Sequence, residues 1–124
     1  MASESLYERL GGDSVINVAV DIFYQKILAD PYISVFFKNV NMTKQIKKQK
    51  SFLKKILGGP HSSSGQNMRE IHKHLVENMG LNDSHFDQLQ SHLRSTLALV
   101  GIEQDFISET IAVTELFRDE VLNK

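Results

Sequence analysis

Two glutamines and one histidine stand where helical periodicity asks for apolar residues. On a wheel of about 100° per residue with Gln49 at zero, Met42, Gln45, Ile46, Phe52, Leu53, Ile56 and Leu57 all fall within about 80° of it. The lysines at 44, 47, 50, 54 and 55 lie at roughly 100° or beyond, on the solvent side, and Lys48 sits on the border near −100°. Gln45 and Gln49 therefore occupy the middle of an apolar stripe. A buried amide without partners costs on the order of 1–3 kcal/mol, so this pair needs something polar to hold. Mutual or backbone hydrogen bonds would satisfy it, and so would a polar patch inside an apolar ligand pocket. His72 repeats the pattern, sharing a face with Met68, Ile71, Leu75, Val76 and Met79 while His74 points roughly 200° away. It reads either as a satisfied core histidine or as a ligand to a metal. His72 and His74 cannot chelate one ion from a regular helix, because residues two apart face opposite ways. His85, His92 and His61 read as surface residues.

The elements that must carry these side chains are all helical. A short first helix starts near Ser5, with Glu8 suited to a capping box, and ends at Gly11-Gly12. A second runs from about Asp13 to Ala29 with Ile16, Val20, Phe23 and Ile27 on one face, before Asp30-Pro31 caps a new turn. A third covers Met42 to Leu57 and meets Gly58-Gly59-Pro60; His61 to Gly65 reads as loop. A fourth covers Gln66 to Met79. Asn82-Asp83-Ser84 caps the next, with Phe86, Leu89, Leu93, Leu97 and Val100 as its buried stripe, ending at Gly101. One last helix carries Phe106, Ile107, Ile111, Phe117 and Val121. The fold class is all-α, and 124 residues suit one domain, residues 1–124.

Composition closes off several chemistries. The sequence has no cysteine, so disulfides, thiolate catalysis and cysteine metal sites are excluded. A formal charge of −1 argues against a dedicated nucleic-acid binder. No basic start precedes an apolar run, and no stretch approaches the ~18 apolar residues of a membrane span, so a cytoplasmic monomer is expected.

Taken together, Leu6-Tyr-Glu-Arg-Leu-Gly-Gly12, Phe23-Tyr24, Phe36-Phe37, Gln45 through Gln49, Phe52-Leu53, Leu57-Gly-Gly59, Met68-Arg-Glu-Ile-His72 and His85-Phe86-Asp87 resemble the group I truncated haemoglobins over nearly the full length. The resemblance implies a two-over-two helical sandwich around haem b. It makes His72 the proximal iron ligand and Tyr24, Gln45 and Gln49 a distal group that hydrogen-bonds a bound gas. Phe36 and Phe37, with Phe52, Met68, Ile71, Leu75 and Phe86, would line the cofactor; plain core packing is their alternative. Many relatives have an aromatic residue and a basic residue where Ser63 and Gln66 stand here, which leaves Lys44 and Arg69 as the candidates for the propionates. Lys48 takes a place where some relatives have an iron-ligating histidine, so it is the candidate distal ligand against a solvated lysine. Certain relatives link haem to a histidine of the last helix; no histidine follows His92, so non-covalent haem is expected.

The implied ligands are dioxygen, nitric oxide, carbon monoxide and cyanide. NO dioxygenation or peroxidase-like chemistry with an external reductase is open on such a site, as are storage and sensing. A reading from another class is a haem-free helical interaction module. Lys38, Lys44, Lys47, Lys48, Lys50, Lys54 and Lys55 give seven of the 14 basic residues, which would face an acidic partner or nucleic acid. Exposed aromatics for base stacking are not interleaved among them, and a solvated helix face is the plainer account.

Overall fold

The computed structural model describes residues 5–58 and 68–124. Ser5 opens α1 (Leu6–Leu10), its hydroxyl accepting the Glu8 N–H at 3.2 Å. Gly11 closes that helix in the left-handed region at φ 119°, and a Cβ there would lie 2.4 Å from Val15 Cγ2. Only glycine lets α2 (Gly12–Leu28) start so close behind. From α2, Ile16, Ala19, Val20, Phe23, Tyr24 and Ile27 are buried, which makes it the central post of the main core.

Asp30 caps α3 (Pro31–Ser34), with proline at the start of the helix, where its missing N–H costs nothing. A 3-10 turn (Val35–Phe37) follows and delivers Phe36 and Phe37. Asn41 accepts the Lys44 N–H at 3.2 Å and starts α4 (Met42–Ile56), which packs along α2. Lys50–Asp21 at 3.2 Å and Lys54–Asp13 at 3.1 Å tie α4 to α2. Two lysines of the basic stripe are thereby engaged within the chain.

Beyond the undescribed segment come α5 (Met68–Met79), α6 (Asp83–Leu99), α7 (Gln104–Glu115) and α8 (Arg118–Leu122). The expected helix start at Gln66, the loop from His61 to Gly65, and Ser63 lie outside the described residues. The last helix, expected to be continuous, is two. It breaks at Leu116 and Phe117, and the Phe117 ring turns inward to meet Phe52 edge-on at 5.2 Å. Against α6, Arg118 then reaches Asp83 and Asp87 and lies over the Phe86 ring at 4.5 Å.

α6 packs on α2 and α7 in the main core, and α5 packs chiefly on α8 in a second cluster of Phe36, Leu81, Phe86, Val121 and Leu122. No described helix is long and apolar enough to cross a membrane.

Candidate functional site

Tyr24 and Gln45 come together across the α2–α4 contact. The Gln45 amide Nε2 donates to Tyr24 Oη at 3.1 Å. Tyr24 is 3% exposed, its ring edge-on to Phe23 at 5.4 Å and to Phe37 at 5.8 Å. Burial pushes the phenol above its ordinary range, more than the Gln45 bond pulls it down, so it stays a neutral hydroxyl at neutral pH. Because its oxygen accepts from Gln45, the hydroxyl proton remains available to a further acceptor. One turn along α4, Gln49 is half-buried beside them on the same stripe.

α5 supplies a different kind of group. His72 Nδ1 lies 2.8 Å from the carbonyl of Met68. A carbonyl only accepts, so Nδ1 carries a proton, and in the neutral imidazole Nε2 then keeps its lone pair. This is the tautomer a metal-ligating histidine needs, held by the backbone of its own helix. His74 is exposed and instead meets Asn78 at 2.7 Å.

Each of the two helices has an unusually open apolar face. α4 fully buries only Leu53, and α5 buries none of its 12 residues, although each has a clear apolar stripe. Met42, Ile46 and Phe52 on α4, and Met68, Leu75 and Val76 on α5, are half-buried. Phe37 packs against both core clusters and so lies at their junction. A flat apolar cofactor with one metal coordination position for a neutral imidazole fits this donor set: a lone-pair nitrogen on one helix, hydrogen-bond donors on the other, and hydrocarbon around both.

Other expected site residues divide. Phe36 and Phe86 are buried in the second cluster, while Phe37, Phe52, Met68 and Leu75 are half-buried beside the stripes. Ile71 is 48% exposed, and Lys44 and Lys48 are exposed. Arg69 has a structural engagement that its sequence position does not announce, donating to the main-chain oxygen of Lys124 at 2.7 Å. Two expectations are corrected. His85 is buried, accepts the Asn82 N–H at 3.0 Å in a reciprocal cap of α6, and stacks on Tyr32 at 4.5 Å. Desolvation there pushes its imidazole below the ordinary range. His92 is half-buried, with Nε2 2.7 Å from Asp30 Oδ2. Both are fold-stabilising contacts made to residues distant in sequence or to the cap, invisible to periodicity.

The family model described as bacterial-like globin matches residues 5–123. This chain belongs to the bacterial-like globins. Within that family it is 44% identical over 122 residues to the group 1 truncated hemoglobin GlbN of Synechocystis sp., covering 97% of this chain and 98% of that one. The group 1 truncated hemoglobin of Tetrahymena thermophila is 41% identical, over 97% of this chain and 96% of its own. The 2/2 hemoglobin from Synechococcus sp. PCC 7002, solved in the cyanomet state with covalently attached heme, superposes with a TM-score of 0.93 at 41% identity, covering 98% of this chain and all of that one. The all-helical globin fold of the 2/2 kind is thus established, and haem b is the cofactor of this globin.

Proposed function

We propose that this globin is a haem protein that binds dioxygen and other diatomic ligands, with His72 on the proximal side and Tyr24, Gln45 and Gln49 on the distal side. When bound, haem b supplies an iron with an open coordination side for dioxygen, where dioxygen and nitric oxide can combine to nitrate, an external electron returning the iron to the ferrous state. The observation that supports the reading best is the buried Tyr24–Gln45 hydrogen bond at 3.1 Å. It fixes the direction of the phenol, leaves its proton unspent, and holds that donor in a dry site where a hydrogen bond to partial negative charge is strongest. Gln49 adds an amide on the same stripe. His72, its ring oriented by the Met68 carbonyl, would hold the iron through Nε2. Met68, Leu75, Phe37 and Phe52, half-buried beside the stripes, would supply the hydrocarbon that excludes water from the bound cofactor. The lysines exposed on the other side of α4, Lys44, Lys47, Lys48 and Lys55, suit the acidic surface of an electron-donating reductase. Lys44 is also the remaining free cation of the propionate pair, since Arg69 is engaged at the chain's last turn.

The purified protein is expected to show a Soret band and a stable oxygenated spectrum after reduction in air. Acid butanone should carry all of the haem into the organic phase. A colourless protein that takes up no haemin would sink the haem reading and leave the interaction module. Pigment retained with the polypeptide would instead sink non-covalent attachment alone.

A further inference from the structure

The turn that follows α8 reaches back to the helix that carries His72. Val121 and Leu122 of α8 are buried in the cluster on which Met68, Leu75, Val76 and Met79 of α5 lean. Immediately after them Asn123 takes the left-handed conformation, φ 58° and ψ 46°, as the one described non-glycine residue at positive φ. Asparagine tolerates that region where most side chains do not. From there its Nδ2 donates to the Arg69 carbonyl at 3.0 Å. The acceptor is a carbonyl, so the amide orientation is fixed by chemistry. In return, Arg69 Nη1 donates to the main-chain oxygen of Lys124 at 2.7 Å.

These contacts fall one helical turn before His72. Met68 and Arg69 are the first described residues of α5. Their carbonyls are neighbours in the chain. The first holds the His72 ring at 2.8 Å, and the second takes the Asn123 amide. Tilting the Arg69 peptide therefore tilts the group that sets the plane of the imidazole. We infer that Asn123 is a positioning residue for His72: its side-chain amide pins the turn whose Met68 carbonyl orients the proximal ring. This rests on His72 being the iron ligand, as proposed above.

Two variants of the holoprotein test it. Asn123→Asp keeps the shape and removes the donor, while Asn123→Gly keeps the left-handed backbone and removes the side chain. In both, haem transfer to excess apomyoglobin should accelerate roughly three- to tenfold, the range expected for one net hydrogen bond. The iron–histidine stretching band of the ferrous, ligand-free protein should shift or broaden. In a His72→Gly background rescued with imidazole, the free base is not tethered to α5, so Asn123→Asp should leave the iron–imidazole band in place. An unchanged band and transfer rate in both variants overturns the inference. An equal shift in the imidazole-rescued background also overturns it, because Asn123 would then be a general tether. If His72→Gly alone leaves the spectrum intact, the ligand assignment itself falls and the role of Asn123 falls with it.

Discussion

The two helices that would face the haem are held in opposite ways. α4 is fastened to α2 by core packing, by two ion pairs to Asp21 and Asp13, and by the Gln45–Tyr24 bond. The amide of Gln45 is oriented by the protein alone. α5 has no fully buried residue and packs chiefly on the five-residue α8. Its apolar face is completed by whatever lies against it. On the proposed reading the distal wall would thus be built in advance, which lowers the reorganisation needed when a ligand arrives. On the proposed reading the proximal wall would draw much of its stability from the cofactor, and haem binding and the ordering of α5 would then be one linked equilibrium.

The largest effect should come from breaking the proximal side. His72→Ala removes the lone-pair nitrogen and should lose most haem affinity, while His74→Ala should leave the absorption spectrum nearly unchanged. Titration of each apoprotein with haemin reads both. The reverse pattern would place the ligand on the other face of α5. Haem removal sharpens the same contrast. Amide exchange in α5 should accelerate far more than in α2 or α6, whose core residues stay covered.

The distal side should respond through rate rather than affinity for haem. Tyr24→Phe keeps the ring that packs on Phe37 and deletes one donor. A hydrogen bond to a charged acceptor contributes ~1.5–3 kcal/mol, so dioxygen should dissociate roughly ten- to hundredfold faster. Flash photolysis or stopped-flow displacement by carbon monoxide measures it. If a Tyr24→Phe, Gln45→Leu, Gln49→Leu triple variant releases dioxygen at the parental rate, the distal group plays no part.

What could be read in the sequence, and what could not, follows the same division. Gln45 and His72 were visible because each violates the apolar stripe of its own helix, a comparison that needs only neighbours within four turns. Tyr24 became meaningful only beside the family pattern, since a tyrosine on the buried face of α2 is ordinary core until its hydroxyl has a partner. His85 and His92 read as surface residues because their partners, Tyr32 and Asp30, lie in another helix-forming segment. Arg69 and Asn123 are more than 50 residues apart, and no local rule joins them. The break at Leu116 and Phe117 has no glycine or proline to announce it; turning the Phe117 ring toward Phe52 is a tertiary choice.

A smaller effect tests the anchorage of the distal side at the α2–α3 corner. Asp30 accepts hydrogen bonds from His92 at 2.7 Å, Gln88 at 2.9 Å and the Tyr32 N–H at 3.0 Å. Hydrogen bonding by His92 above all, then by Gln88, holds its carboxyl below the ordinary range. A depressed acid contributes stability above the ordinary carboxylate range and loses it as pH falls through the folded-state value. Asp30→Asn should therefore lower the thermal midpoint at pH 7, and the gap to the parent should narrow as pH falls below the ordinary carboxylate range. A gap independent of pH would mean that the charge on Asp30 contributes nothing.

The smallest expected effect concerns Lys48 as a sixth ligand to ferric iron. Lys48 is exposed, at the edge of the α4 stripe one residue before Gln49. To ligate, its side chain must cross from solvent to the distal side and give up a proton, because an ammonium has no lone pair. A lysine in water does so near ~10.4, and each unit below that costs about 1.4 kcal/mol, which the iron–nitrogen bond must supply. Ligation is therefore coupled to pH: a low-spin ferric form should grow in as the solution becomes alkaline and the amine displaces water. Lys48→Ala should lack that form, leaving hydroxide as the alkaline ligand with its own, higher-spin spectrum. Superimposable ferric titrations of the parent and Lys48→Ala would remove Lys48 from the coordination sphere and return it to the solvated lysine face of α4.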